Sequence, residues 1–181
     1  MKHGAVIWLT GLSGAGKTTI AEAIHAQVKP HLPELVLIDG DIIRDLFGTG
    51  LGFHEAARHE QIGRIQRLSR MLAEQGLVVL VAALYAHPDL LAWNRQNMPG
   101  YVEVYVNTPL DLVRSRDVKG LYAKAAAGAM PNVVGLDIPW HVPASPDLVI
   151  DGNAGETPAQ SAARVIAAAP RLAAAMAGAA A

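Results

Sequence analysis

The run Gly11-Leu12-Ser13-Gly14-Ala15-Gly16-Lys17-Thr18 fits the pattern G-x-x-x-x-G-K-[ST]. Residues of these types at this spacing hold phosphate. Glycines let the backbone curl until successive N–H groups point inward and form a nest for phosphate oxygens. The start of the following helix adds partial positive charge. Lys17 can then reach the β- and γ-phosphates, and the Thr18 hydroxyl can ligate Mg2+. The expected contacts to ATP from this segment are Gly11, Ser13, Gly14, Ala15, Gly16, Lys17, Thr18 and Thr19.

A phosphate-binding loop implies a triphosphate but not a reaction. Phosphoryl transfer needs charge neutralisation and in-line placement more than a reactive side chain. Asp39 and Asp41 follow a short apolar run and supply two acids. One can hold magnesium through water, and the other can accept the proton of an attacking hydroxyl. Asp39 with Thr18 is the expected metal pair. Asp41, with Asp39 as the alternative, is the expected base, so Asp41, Asp39 and Lys17 form the catalytic set. Asp also serves commonly as a helix N-cap or turn acid. Arg44 lies three residues beyond Asp41 and shares its helix face, either as a clamp for an anionic substrate or as a surface ion-pair partner. Phe53, in Gly50-Leu51-Gly52-Phe53, either stacks on a base or anchors its loop.

These residues need elements to position them. The apolar runs at 5–9, 35–38, 77–84, 101–106 and 148–150 read as five strands. Between them, 19–28, 55–75 and a segment opened by Pro88 read as helices. Gly76 is a C-cap and Thr108 an N-cap with Pro109 in the first turn. A last helix starts at Thr157-Pro158. This alternation predicts an α/β fold, three-layer α/β/α, with a parallel five-stranded sheet. Ligands collect at the carboxyl ends of such strands, so the glycine loop, Asp39-Gly40-Asp41 and the segment after Leu84 are expected to face one cleft. Residues 114–146 read as a mobile, partly helical lid, and Ala-rich 173–181 as a frayed end. The whole of 1–181 is expected to be one domain.

Composition narrows the function. Over 181 residues, 51% are hydrophobic and the net charge is -1, a globular balance with no basic field for bulk nucleic-acid binding. Cysteine is absent, so no disulfide or thiolate metal site is expected, as suits a reducing cytosol. No apolar run approaches a membrane span. The chain enters a strand pattern almost at once, leaving no room for a signal peptide, and a cytoplasmic setting is expected. His3, His25, His31 and His59 are expected at the surface without a metal role. His54 and His87 fall nearer the cleft, and Trp93 is expected to pack.

Four segments together carry a resemblance. They are Trp8-Leu9-Thr10 with the glycine loop, Asp39-Gly40-Asp41, Leu51-Gly52-Phe53, and Arg116-Asp117-Val118-Lys119-Gly120-Leu121-Tyr122. The chain resembles adenylylsulfate kinases from Ala5 to about Gly152. The resemblance implies a P-loop kinase fold, homodimers, magnesium and a place in sulfate assimilation. It also implies transfer of the ATP γ-phosphate to the 3′-hydroxyl of adenylyl sulfate. Asp-Gly-Asp would line the reaction centre, and Arg44, Phe53 and Arg58 would hold the acceptor. The lid cations Arg116 and Lys119 are candidates for contacts to ATP, with Lys119 also placed among the acceptor-binding residues. Gln61, Leu84, Tyr85 and Val133 complete that acceptor set.

The sequence departs from the family pattern mainly around the acceptor. Ile42 and Gln61 each stand where the family has Asn, and Leu84-Tyr85-Ala86-His87 where it has Ile-Ser-Pro-Tyr. Ala123-Lys124-Ala125-Ala126 replaces Lys-Lys-Ala-Arg. Val133 follows Asn132 where the family has a Phe that stacks on adenine opposite the counterpart of Phe53. Base–aromatic stacking is worth about 1–3 kcal/mol per base. Two readings follow. Either the chain is an ordinary adenylylsulfate kinase, with Tyr85 or Trp140 supplying aromatic surface, or it acts on the 3′-hydroxyl of a related activated nucleotide such as cytidine diphosphoramidate. A non-catalytic nucleotide sensor would be expected to lack Asp39 and Asp41. A kinase for a sugar or a shikimate-like acid is disfavoured by the Lys-Gly-Leu-Tyr segment.

Overall fold

The computed structural model describes residues 4–48 and 50–179. His3 and the last two alanines of the expected frayed end lie outside the described residues.

Continuous apolar runs are the sequence signature of parallel strands buried on both faces. Five such runs form β1 (Ala5–Thr10), β2 (Leu35–Asp39), β3 (Val78–Ala82), β4 (Val102–Asn107) and β5 (Leu148–Asp151). They pair in the order β2-β3-β1-β4-β5, all parallel. Every residue of the central strand β1 is buried, Trp8 completely. Helices cover both faces. α1 (Lys17–Val28) packs with α7 (Pro158–Ala168) and α8 (Pro170–Ala179), while α3 (Glu55–Glu74) packs with α2 (Gly40–Leu46) and α4 (Pro88–Asn97). The three-layer α/β/α arrangement expected from the alternation is therefore present.

Local chemistry sets the helix ends. Thr157 and Gln160 form a reciprocal capping box at the start of α7. In α3, Ala57, Gln61, Ile62, Ile65, Gln66, Ser69 and Ala73 are buried at helical spacing, which places one face against the sheet. α5 (Leu110–Arg116) and the short α6 (Leu121–Ala126) follow β4. From 127 to 147 the chain is irregular apart from a bridge between Val134 and Ile138.

Two expectations about elements need correcting. The segment from Ala173 is not frayed over its described length. It lies in α8, where Leu172 is fully buried and Ala175 and Met176 pack on the core. Thr108 does not cap α5. Pro109 occupies the N-cap position, and the Thr108 hydroxyl is used elsewhere. Among the described residues no helix is long and apolar enough to cross a membrane.

Candidate active site

The carboxyl ends of β1, β2 and β3 open into a cavity of about 590 Å³. Its walls include Ser13, Gly14, Gly16, Lys17, Thr18 and Thr19 from the glycine loop and α1. Asp39, Asp41 and Arg44 enter from β2 and α2, Phe53, Arg58 and Gln61 from α3 and the loop before it, and Leu84 and Tyr85 from beyond β3. Lys119 and Val133 close the cavity from the segment after α5. Of the sequence-expected site residues, Gly11, Ala15 and Arg116 do not line it.

The loop's shape follows from where its carbonyls go. Lys17 Nζ donates to Gly11 O and Leu12 O, each at 2.9 Å. The Tyr122 hydroxyl donates to Ser13 O (3.1 Å), and the Thr108 hydroxyl to Ala15 O (3.1 Å). With four carbonyls engaged by side chains, the loop's free N–H groups turn to the other side, which is the geometry of an anion nest. Three glycines are required, among them Gly14 with φ +77°. A Cβ on Gly11 would sit 2.5 Å from Val106 O, and Gly16 has φ +102°, a conformation L side chains rarely adopt. Desolvation pushes the Lys17 ammonium down to about 8, against the pull of Asp41 and Asp39.

Asp39 combines the two roles its residue type allows. Its Oδ1 accepts from Asp41 N (2.8 Å) and Ile42 N (3.4 Å), which makes it the N-cap of α2. Its Oδ2 accepts from the Thr18 hydroxyl at 2.7 Å. Asp41, two residues further on, lines the cavity and forms an ion pair with Lys119. Thr18 and Asp39 offer a hydroxyl and a carboxylate oxygen side by side. Such hard oxygen donors suit magnesium, which keeps most of its waters and takes further ligands from phosphates. Among the described residues no group of three or more His, Cys, Asp or Glu side chains is placed to cage a metal unaided.

At the other end of the cavity, Phe53 is nearly half exposed. The Arg44 guanidinium stands 4.7 Å from its ring centroid and that of Arg58 5.8 Å. Arg44 Nη1 donates to Leu51 O (3.1 Å) and Gly52 O (3.0 Å), and Arg58 Nη2 donates to Asn132 O (2.7 Å). Gln61 is buried, and its Nε2 donates to Gly40 O at 3.4 Å. The Tyr85 hydroxyl donates to Glu55 Oε1 at 2.8 Å, and burial pushes the phenol well above its ordinary range. Val133 is buried in the wall.

Several residues sit elsewhere than expected. Arg116 is exposed and donates to Gly152 O (3.3 Å) rather than facing the cavity, because α5 ends with it turned toward β5. Trp140 does not line the cavity; its ring packs 6.1 Å from that of Tyr105. His54 and His87 are the N-caps of α3 and α4, with their Nδ1 atoms accepting from Ala57 N and Asp89 N. His59 is exposed but not isolated, since its ring centroid lies 5.4 Å from that of His87. His25 is half-buried and His31 exposed, while Trp93 packs against the core. The braces Thr108 and Tyr122, and Asp117, which caps α6 through Tyr122 N and Ala123 N, had no assigned site role. In the sequence Asp117 and Tyr122 stand only as letters of the resemblance motif, and the fold alone brings the Thr108 and Tyr122 hydroxyls to the loop carbonyls.

A glycine loop between a central parallel strand and its helix, with acids at the end of β2 two strands away, defines a P-loop nucleotide-binding protein. Comparison with known proteins narrows the class. The adenylylsulphate kinase family profile matches residues 3–151. The adenylyl-sulfate kinase of Deinococcus deserti is 41% identical over 145 residues, 80% of each chain. That of Paraburkholderia xenovorans is 40% identical over 150 residues, 82% of this chain and 84% of the relative. The structure of the Mycobacterium tuberculosis APS kinase in complex with AMPPNP and APS matches with a TM-score of 0.85 at 32% identity, covering 93% of this chain and 98% of that one. Shikimate kinase from Aquifex aeolicus, 15% identical with a TM-score of 0.57 over 90% and 94% of the chains, shares the fold alone. The chain belongs to the adenylylsulphate kinase family.

Proposed function

We propose that this protein transfers the γ-phosphoryl group of ATP to the ribose 3′-hydroxyl of adenylyl sulfate, giving ADP and 3′-phosphoadenylyl sulfate. The observation that carries this reading is one cavity holding, at one end, a phosphate nest with Lys17 and, at the other, an exposed ring flanked by two guanidinium groups. Asp41 lines the same cavity.

The nest and Lys17 bind the triphosphate. Asp41 accepts the 3′-hydroxyl proton as the oxygen attacks the γ-phosphorus. The bond from that phosphorus to the β–γ bridging oxygen breaks, and ADP leaves. Thr18 and Asp39 would hold Mg2+, which when bound neutralises phosphate charge. Phe53 stacks on the acceptor's base, and Arg44 and Arg58 face its anionic head group. Lys119, the ion-pair partner of Asp41, belongs with Arg116 to the lid at 114–146 that closes over bound nucleotide and excludes water. The family resemblance supports a homodimer, which light scattering would check, and the need for ATP supports a cytoplasmic setting.

A coupled ADP-release assay with identification of the phosphorylated product tests the proposal. Release that depends on adenylyl sulfate and yields the 3′-phosphorylated nucleotide is expected. Val133, standing where the family has a Phe, favours a second reading, a smaller base on the acceptor. ADP release with cytidine diphosphoramidate but not with adenylyl sulfate would establish that reading and overturn the first.

A further inference from the structure

Arg58 is anchored by only part of its guanidinium. Nη2 donates to Asn132 O at 2.7 Å, while Nε is buried with no hydrogen-bond partner among the described residues. With that donor unpartnered, the guanidinium depends on its single anchor at Asn132 O. Arg44 stands nearby as a like charge on the same aromatic ring, so an anion is the ligand that both guanidinium groups fit.

What holds Asn132 O in place is not on α3. Asn132 has φ +66°, a left-handed conformation uncommon outside glycine. The corner is held by Asp137, whose two carboxylate oxygens accept from Asn132 N and Val133 N. The loop is closed further by Leu136 N and Ile138 N donating to Val133 O, each at 3.1 Å. Asp137 itself is exposed and does not line the cavity. The two backbone donors hold its carboxyl below the ordinary carboxylate range.

We propose that Asp137 is a positioning residue for the acceptor: it fixes the Asn132–Val133 corner, the corner's carbonyl fixes the Arg58 guanidinium, and Arg58 is thereby held on the cavity wall that takes the acceptor's anionic head group. This rests on the function proposed above.

Steady-state kinetics with ATP and adenylyl sulfate on the full chain tests the proposal. Asp137→Asn is expected to raise KM for adenylyl sulfate on the order of 10-fold, with kcat and KM for ATP changed less than about 2-fold. In an Arg58→Ala background the same substitution is expected to change that KM by less than about 2-fold. A second measurement needs no acceptor. The Arg58 Nε–H NMR signal, assigned by its loss in Arg58→Lys, is expected to exchange slowly with solvent in the unmodified protein and at least about 10-fold faster in Asp137→Asn. Unchanged exchange, or an undiminished KM penalty in the Arg58→Ala background, overturns the proposal. Should Asp137→Asn fail to fold, Asp137→Glu keeps the charge, moves the carboxylate and is read in the same way. If the unmodified protein releases no ADP with adenylyl sulfate, the proposed function fails, and the exchange measurement still decides the role of Asp137.

Discussion

At the ATP end of the cavity the groups facing inward are main-chain amides, and side chains serve mainly to turn them there. Lys17, Tyr122 and Thr108 each occupy loop carbonyls. At the acceptor end the inward-facing groups are side chains, Arg44 and Arg58 from helices and Phe53 and Val133 from loops, and the two guanidinium groups donate to carbonyls of those loops. The difference bears on specificity. Every nucleoside triphosphate has the same phosphates, so a main-chain grip needs no particular residue beyond glycine and lysine. An acceptor is distinguished by its base and head group, so its end of the site changes with single substitutions. The departures at Ile42, Gln61, Tyr85 and Val133 all fall on that side.

If the two ends are as separate as this, substitutions should divide cleanly in kinetics. Asp41→Asn removes the proton acceptor and should lower kcat on the order of 10²–10⁴-fold with KM for ATP little changed. A comparable rise in KM for ATP would show that Asp41 acts on the triphosphate instead. Lys17→Ala should lower kcat/KM on the order of 10²–10³-fold or more, and near-normal turnover would remove Lys17 from the reaction.

Acidity offers a sharper division. The free Lys17 ammonium, pushed down to about 8, must be cationic to meet phosphate. Below that pH it is already protonated and ATP affinity should be flat. Above it, binding must take up a proton, so Kd for ATP should rise up to about 10-fold per pH unit. Calorimetry in buffers of different ionisation enthalpy would register the proton taken up. Kd independent of pH between 7 and 9.5 (a range set by the pH scale, roughly one unit to either side) would refute the depressed ammonium.

Smaller effects test the acceptor end and the brace. Val133→Phe restores a ring opposite Phe53 and should lower KM for adenylyl sulfate by up to about 10-fold. Because Val133 is buried, some stability should be lost to overpacking. No gain in KM would favour the smaller-base acceptor. Thr108→Val leaves Ala15 O without its donor and should cost about 1–3 kcal/mol in denaturant unfolding, with KM for ATP raised and that for adenylyl sulfate unchanged.

The ATP end was legible in the sequence because its signal is local. A glycine pattern between an apolar strand and a helix fixes where the loop lies, and the strand alternation fixes what lies beside it. Asp39 shows a limit of residue type. Capping and facing Thr18 read as alternatives, and its two oxygens do both. Thr108 before a proline has the form of an N-cap, yet the pull of a carbonyl across the fold takes its hydroxyl. Nothing local to Arg116 shows that α5 ends with its guanidinium donating to Gly152 O. The α8 helix was missed since alanine carries little amphipathic contrast, and only Leu172 and its packing reveal a buried face.

The bond from Thr108 to Ala15 joins residues 93 positions apart. A transplant of the strand, glycine loop and helix into another scaffold would leave that strut behind. The signature motif would then be present in letters but unsupported in shape, so such grafts should bind triphosphate only when the host provides a hydroxyl at the equivalent spot.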